Sequence, residues 1–384
     1  MRRPLSRALR ALTIAALGVG LAALSFGSAW ANGDIRVALV EGARAVELGG
    51  GPLILRDLAG RSLTRLKPTW IRVVERGDGL EVRGLRGEGL RLEALRVTAA
   101  PGVAVRVNAL DYSGAIEIRR GAEGLLVVNM LPLEEYVVGS VKAEAGESMP
   151  LEMLKAQAIV ARTYAAYHRR LNAGKPYEIV ATTAHQQYVG RVAATSPVWT
   201  AVRETRGQVL LWEGELFPAF YHTDSGGHTE DPRVVFAATN MPALRGVRVD
   251  FPSDSPHHLW NLDVPLADLS TALRRAGVGV GRVTGHEVLE RSASLRVTRI
   301  QMQGTTGQVV LRGNDLRRII GYDTLKSTLF AVAVDETTAR FAGRGYGHGV
   351  GMDQAGAKTM AQLGYSARQI IEYYYPGAEF ASLP

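Results

Sequence analysis

The stretch from Leu131 to Leu171 constrains the fold of this chain more than any other, because two helical patterns there flank a short break rich in carboxylates. The break reads Lys142-Ala143-Glu144-Ala145-Gly146-Glu147-Ser148-Met149-Pro150. Upstream, Leu131-Pro132-Leu133-Glu134-Glu135 has the form of a helix start, with proline at the first helical position and acids in the first turn. Downstream, Pro150 opens a second helix. In it Leu151, Leu154, Ala158, Ala161, Ala165 and His168 recur at helical spacing, a small-residue stripe that predicts a buried central helix. Glu144 falls at the negative end of the first helix and Glu147 near the positive start of the second, so the dipoles push their pKa values apart. Glu144 is expected to keep its proton and Glu147 to stay ionised. A carboxyl that is neutral near pH 7 can protonate a leaving oxygen. Taken locally, the two acids read first as ordinary interhelical surface carboxylates, and the rest of the chain has to decide.

Residues 1–31 have the form of an export signal. Arg2, Arg3, Arg7 and Arg10 precede an apolar run from Ala11 to Gly27, and Ala29-Trp30-Ala31 is a small-x-small cleavage site. Removal after Ala31 is expected; the alternative, an uncleaved membrane anchor, is weakened by Gly18, Gly20, Ser25 and Gly27. The chain has no cysteine, so an exported product relies on its own cores, which a 46% hydrophobic content allows. The formal net charge of +8 comes from 45 basic and 37 acidic residues. Four of the arginines lie in the signal, leaving 41 basic against 37 acidic residues. These charges are dispersed and no aromatic-basic motif accompanies them, so no nucleic-acid partner is expected.

From Asp34 to Arg120 the pattern has mostly period two, as in Ile35, Val37 and Leu39 or Leu90, Leu92, Leu95 and Val97, and predicts a β-rich N-terminal region over 32–120. Two further strands, around Tyr112–Ile118 and Leu125–Val128, lead into the central helices. Beyond these comes a polar loop, Ala181 to Gly190, whose amides and phenol could bond a sugar. A helix is expected over Ser196–Arg206, then a hairpin running out through Val209–Trp212 and back through Leu216–Tyr221. It delivers His222-Thr223-Asp224-Ser225-Gly226-Gly227-His228-Thr229-Glu230. A Ser-His-Asp nucleophile, a metal site on His222 and His228, and a tight loop lining a polysaccharide cleft compete there with a plain turn. Ser225 lacks the Gly-x-Ser-x-Gly elbow, and the histidine spacing matches no standard zinc pattern. Residues at about 231–330 read as an elaboration with a helix over Leu266–Arg275 and a hairpin from Leu295 to Leu311; Trp260 there is a sugar-stacking aromatic or, more simply, core. Near the C-terminus Gly343 to Gly351 places glycine at every second position. An extended chain there would bare one face to close approach and carry Arg344, Tyr346, His348 and Val350 on the other. Ser366-Ala367-Arg368-Gln369 reads as a capping box.

Three segments together resemble the stage II sporulation protein D family, also described for amidase-enhancer proteins. They are Leu131–Tyr136 through Glu144 to Leu154–Ala158 and Ala161–Tyr164; Tyr221–Gly227; and Gly345–Met352 with Gln354, Gly356 and Ala357. The resemblance implies a peptidoglycan lytic transglycosylase, cleaving between N-acetylmuramic acid and N-acetylglucosamine with closure of a 1,6-anhydro ring, and its catalytic glutamate falls on Glu144. One carboxyl then serves as acid and base, unlike the paired carboxylates of ordinary glycosidases. Relatives that bind zinc near the His-x-x-Ser-Gly-Gly motif use cysteines, which are lacking here, so neither metal nor other cofactor is expected.

The expected fold is therefore α+β, with a β-rich N-terminal part, a central helix pair and a catalytic region over 121–384 forming a long substrate cleft. Arg162 is expected to pair with Glu144 or to bind a muramyl carboxylate. Gln187, Tyr188, His222, Ser225, Gly226, Gly227, His348 and Gln354 are expected as sugar contacts or their supports. The expected partners are peptidoglycan glycan strands and a cell-wall amidase, the latter under the alternative reading of a non-catalytic enhancer. The expected location is the cell envelope after export.

Overall fold

A computed structural model describes residues 33–67, 70–85, 89–236 and 241–383; the export-signal reading of residues 1–31 lies outside the described residues. The mixed α+β architecture is as expected. Alternating apolar residues build two sheets. The first runs in the order Ile179–Val180, Asp34–Ala43, Leu125–Pro132, Ala115–Arg120, Ala94–Ala99, Leu53–Arg56, Ser62–Leu66, antiparallel except for its first pair. The second runs Leu110–Tyr112, Val105–Val107, Ala45–Gly50, Ile71–Arg76, Gly79–Arg83, Leu90–Leu92. Strand Leu125–Pro132 is paired on both sides by strands from before residue 120, so the N-terminal sheet is completed by chain beyond that point.

Helix α1 spans Leu133–Ala145 and α2 spans Leu151–Leu171. Pro132 is not the first helical residue. It ends the preceding strand with ψ 138°, one position before the helix, and Pro150 stands before α2 in the same way with ψ 146°. The central helix is buried between two cores. Leu154, Ala158, Ala161 and Ala165 pack on the sheets with Ile35, Leu95 and Val127. Met153, Ala156, Ile159 and Val160 pack on a second core with Val350, Met352, Met360 and Ile370. Small side chains at the first set let the sheets approach closely; each fully buried aliphatic residue contributes roughly 1.5–3 kcal/mol. Leu151, at the helix start, is the member of the predicted stripe that stays in solvent.

Helix α3, Pro197–Glu204, is capped by Ser196, and α4 spans Pro232–Phe236. The strand Gln208–Trp212 pairs back only with Glu215–Leu216, because Pro218 offers no N–H to extend the ladder. Its other neighbour is the C-terminal strand Glu379–Ser382. The chain goes on instead to Tyr221–His222, which pairs in parallel with Met352–Asp353.

Between these two segments the chain builds a region with its own core, drawn from Trp260 to Phe341. It holds the sheet of Leu259–Pro265, Thr338–Arg344 and Phe330–Val334, the sheet of Val283–Arg291, Val297–Gly304 and Gly307–Arg312, and helices α5 (Leu266–Arg275) and α6 (Gly313–Ile320). Trp260 is core: it is buried against Gly343, and its indole N–H donates to the Gly345 carbonyl at 2.8 Å. The glycine-alternating stretch after Arg344 is not extended as expected. Gly345, Gly347, Gly349 and Gly351 have φ of 74°, 117°, 86° and 73°, so the chain winds tightly. Close approach is real, but the approaching groups are the protein's own; a Cβ on Gly351 would lie 1.8 Å from the Phe220 carbonyl oxygen. Helices α7 (Gln354–Gln362) and α8 (Ala367–Tyr374) follow, the latter with the expected capping box at Ser366 and Gln369.

Candidate active site

Glu144 lies in the last turn of α1 and lines a cleft of about 700 Å³. Tyr164 of α2, the Thr183–His185 turn and Gln187 form one side of it. Tyr221 to Thr223, the Gly347–His348 turn and Gln354 at the start of α7 contribute next to them, and Asn314, Arg317, Tyr322, Asp323 and Tyr346 add a further part.

The Glu144 carboxylate is held by two donors. The Gln187 backbone N–H donates to its Oε1 at 2.6 Å, and the Tyr221 hydroxyl also donates to it. Behind Tyr221 runs a buried chain: Tyr136 donates to Gln186 Oε1 at 3.1 Å, and Gln186 Nε2 donates to the Tyr221 hydroxyl at 3.1 Å. Burial raises the Glu144 pKa above the ordinary carboxylate range, and the two donors only partly offset this. Glu147 is shifted the other way, chiefly by Lys142, whose ammonium lies 2.9 Å away, and by Ser196. The directions are those expected from the sequence, but the causes are burial and a lysine, not helix dipoles.

Gln187, His222, His348 and Gln354 join Glu144 around this cleft. His222 is buried. Its Nδ1 lies 3.1 Å from the Val350 carbonyl and its Nε2 has no partner. His348 accepts the Val350 N–H on Nδ1, and burial with the nearby Arg317 and Arg296 lowers its pKa to about 3. Burial lowers the His222 pKa as well, so the charged form of both rings is disfavoured. Gln354 donates from Nε2 to the Glu144 main-chain carbonyl at 3.4 Å and to Gln157 Oε1 at 3.2 Å, tying the end of α1 to α2 and α7.

Five expected contacts lie elsewhere. Arg162 is fully buried and grips Glu134, not Glu144, with Nε at 2.8 Å and Nη2 at 2.7 Å. A guanidinium with no solvent access needs a complete set of acceptors, and Glu134 with the carbonyls of Gln208 and Val202 supplies them. Tyr188 is also core. Its ring packs on Tyr112 and Tyr136 and its hydroxyl donates to Asn129 Oδ1 at 3.0 Å, away from the cleft that Gln187 lines. Ser225 is fully buried and donates to Asp353 Oδ2 at 2.7 Å, while the Gly226 and Gly227 amides are used by Asp224 and Ser225. These residues fix the turn instead of touching a ligand. His228 lies outside the cleft lining, its Nδ1 2.6 Å from the Thr229 carbonyl. Among the described residues no group of three or more His, Cys, Asp or Glu side chains is placed to hold a metal.

Tyr221, Gln186 and Tyr164 were missed as individual site residues, although Tyr221 and Tyr164 sit inside the quoted motifs. Asn314 and Arg317 come from a helix whose sequence carries no sign of a cleft.

The fold and site define a class: mixed α/β chains whose cleft holds, at the end of a helix, a glutamate with a raised pKa, backed by a tyrosine-glutamine chain. Residues 121–212 match the family model described as Stage II sporulation protein, and residues 247–351 match a domain of unknown function. An uncharacterized protein of Brachyspira hyodysenteriae is 29% identical over 274 residues, 71% of this chain and 73% of the relative. Stage II sporulation protein D of Bacillus subtilis is 28% identical over 272 residues, 66% of this chain and 76% of the relative. The Amidase enhancer of the same organism is 28% identical over 292 residues, 64% of this chain but 40% of the relative. Residues 121–212 carry the stage II sporulation protein domain, and the chain around them is similar to stage II sporulation protein D.

Proposed function

We propose that this protein is a peptidoglycan lytic transglycosylase of the cell envelope in which Glu144 is both acid and base. The observation that carries the reading is the half-buried Glu144 carboxyl in the cleft, its pKa raised by desolvation and its carboxylate form met by Gln187 N–H and the Tyr221 hydroxyl. A group so placed holds its proton to higher pH than an ordinary carboxyl, and its donors stabilise the anion that remains once the proton has left. In the first step Glu144 protonates the glycosidic oxygen as its bond to the anomeric carbon of N-acetylmuramic acid breaks. In the second, the muramic 6-hydroxyl attacks that carbon and gives its proton back to Glu144, closing the 1,6-anhydro ring without consuming water. Tyr346 supplies aromatic surface for a sugar ring, and Tyr164, buried against His168 and Phe220, backs the cleft wall. The catalytic part is assigned to 121–384, with residues after about 231 supplying Asn314, Arg317 and Tyr322 to the cleft.

Digesting purified peptidoglycan and examining the soluble products by mass spectrometry tests this. Wild type should release anhydro-ended fragments; Glu144→Gln should do so at least about a hundredfold more slowly, and Glu147→Gln at nearly the wild-type rate. Release at the wild-type rate by Glu144→Gln would overturn the assignment. The second reading, a non-catalytic enhancer of a cell-wall amidase, is favoured by the similarity to the Amidase enhancer. It replaces the first if the wild type releases no anhydro ends yet accelerates an amidase on the same material.

A further inference from the structure

A second cleft, of about 770 Å³, is lined by the start of α1, the Ala100–Val103 turn and the Gly190–Ala194 segment. It is distinct from the Glu144 cleft. Glu135, which lines it, and Glu144 are nine residues apart on α1, which puts their side chains on opposite faces and about 14 Å apart along the axis. Tyr188 and Gln187, neighbours in the chain, divide between the two clefts in the same way.

Glu135 is half-buried and has no hydrogen-bond or ion-pair partner among the described residues. The cleft also contains Arg191, whose position is fixed by its backbone. The Arg191 N–H donates to the Asp111 carbonyl at 2.7 Å, and Gly190, at φ 74°, allows the crossing because a Cβ there would lie 2.4 Å from that same oxygen. The Asp111 carboxylate is bonded by Arg106, at 2.6 and 2.8 Å; the exposed Arg191 guanidinium attracts the same carboxylate but makes no hydrogen bond to it. Trp199 lines the same cleft, held by a 3.4 Å bond from its indole N–H to the Val192 carbonyl. The cleft thus presents an acid, Glu135, without a hydrogen-bonded partner, a base, Arg191, that Asp111 attracts without binding it, and a fixed aromatic wall. A neutral sugar would leave both charges unpaired, and a simple cation or anion would leave one.

We propose that this cleft binds a short peptide bearing a free amine and a free carboxylate, the amine on Glu135 and the carboxylate on Arg191, with an apolar side chain against Trp199. Stem peptides of peptidoglycan have this chemistry, and only that link rests on the transglycosylase reading.

The test is an NMR titration of the full mature chain with the synthetic peptide N-acetyl-Ala-Gln-Lys-Ala, which has one amine and one carboxylate, its form acetylated on the lysine amine and its C-terminal amide. The wild type should show saturable shifts at residues 190–194 and at the Trp199 indole. Glu135→Gln and amine acetylation should each weaken binding by about fivefold, and together by little more than either alone, because they remove the same pair. Arg191→Gln and C-terminal amidation should behave likewise. Acetylation and amidation of the peptide probe the wild-type chain, so the result stands even where a variant folds poorly. No saturable binding, fully additive losses, or shifts confined to the Glu144 cleft would overturn the proposal. Glu144→Gln should bind the peptide as wild type does, so failure of the transglycosylase reading leaves this measurement intact.

Discussion

Replacing Arg162 separates a structural arginine from a substrate-binding one. Its side chain has no solvent access, and its guanidinium makes two bonds to Glu134, whose side chain is 24% exposed, with further bonds to the Gln208, Ala158 and Val202 carbonyls at 3.2, 3.4 and 3.4 Å. Arg162→Leu strands the Glu134 carboxylate without its two donors and leaves those carbonyls short of a partner. Breaking one side of a buried pair costs about 3–5 kcal/mol, and the residual exposure of Glu134 places this case near 3 kcal/mol. Arg162→Lys keeps the charge but loses the fork, so it should fall between wild type and Arg162→Leu. Adding Glu134→Leu to Arg162→Leu should recover part of the loss, since the stranded charge is then gone. Urea denaturation followed by tryptophan fluorescence measures each. A loss below about 1 kcal/mol for Arg162→Leu, combined with weakened glycan binding by a fully folded variant, would refute the structural role and restore the substrate role.

Because the Glu144 pKa is raised, the folded state holds more protons than the unfolded state between the ordinary value of 4.5 and the raised one, so stability falls as pH rises through that window. Glu144→Gln should flatten this slope and be at least as stable as wild type at neutral pH, while the wild-type rate falls on the alkaline side as the acid form is lost; a steeper slope in the variant would count against it. Asp353, raised by burial from 3.8 to about 6, should behave in the same sense: about 3 kcal/mol of stability is lost between those values as pH rises, and Asp353→Asn removes most of that dependence in pH-resolved denaturation. Treatment with a chelator should leave glycan cleavage unchanged; activity lost on chelation and restored by zinc would contradict the metal-free reading.

What was legible in the sequence was local. The paired helices could be read because their apolar period and the prolines at 132 and 150 act within one or two turns, and the strands because their alternation is a property of adjacent residues. The Glu144 shift was read in the right direction for a secondary reason: dipoles are visible in a sequence, whereas burial is decided by segments far along the chain. Arg162 illustrates the limit from the other side. An arginine on a helix of small residues looks equally like a ligand for substrate or for another carboxylate, and Glu134, 28 positions away, claims it. The alternating glycines signalled close approach correctly but not the backbone shape, since glycine at every second position suits both an extended strand and a chain with repeated positive φ.

The cleft has no local cause at all. Its floor is set where α1 ends, yet that end is tied down by Gln354, 210 positions later, and the Tyr221 donor is placed by a parallel pairing of just two residues with Met352 and Asp353. Two such short strands hold together only because the turns on either side are locked: Gly226 is closed against Arg344, Gly347 against His222, and Gly351 against Phe220. The glycine-rich motifs therefore act on the glutamate through the backbone. They allow two distant backbones to come within van der Waals contact, so that Tyr221, His222, His348 and Gln354 arrive around Glu144 together. The long segment between them has its own core, and through Asn314, Arg317 and Tyr322 it contributes to the cleft. On this arrangement the family motifs fix the position of the acid, while the intervening segment adds surface to the groove around it.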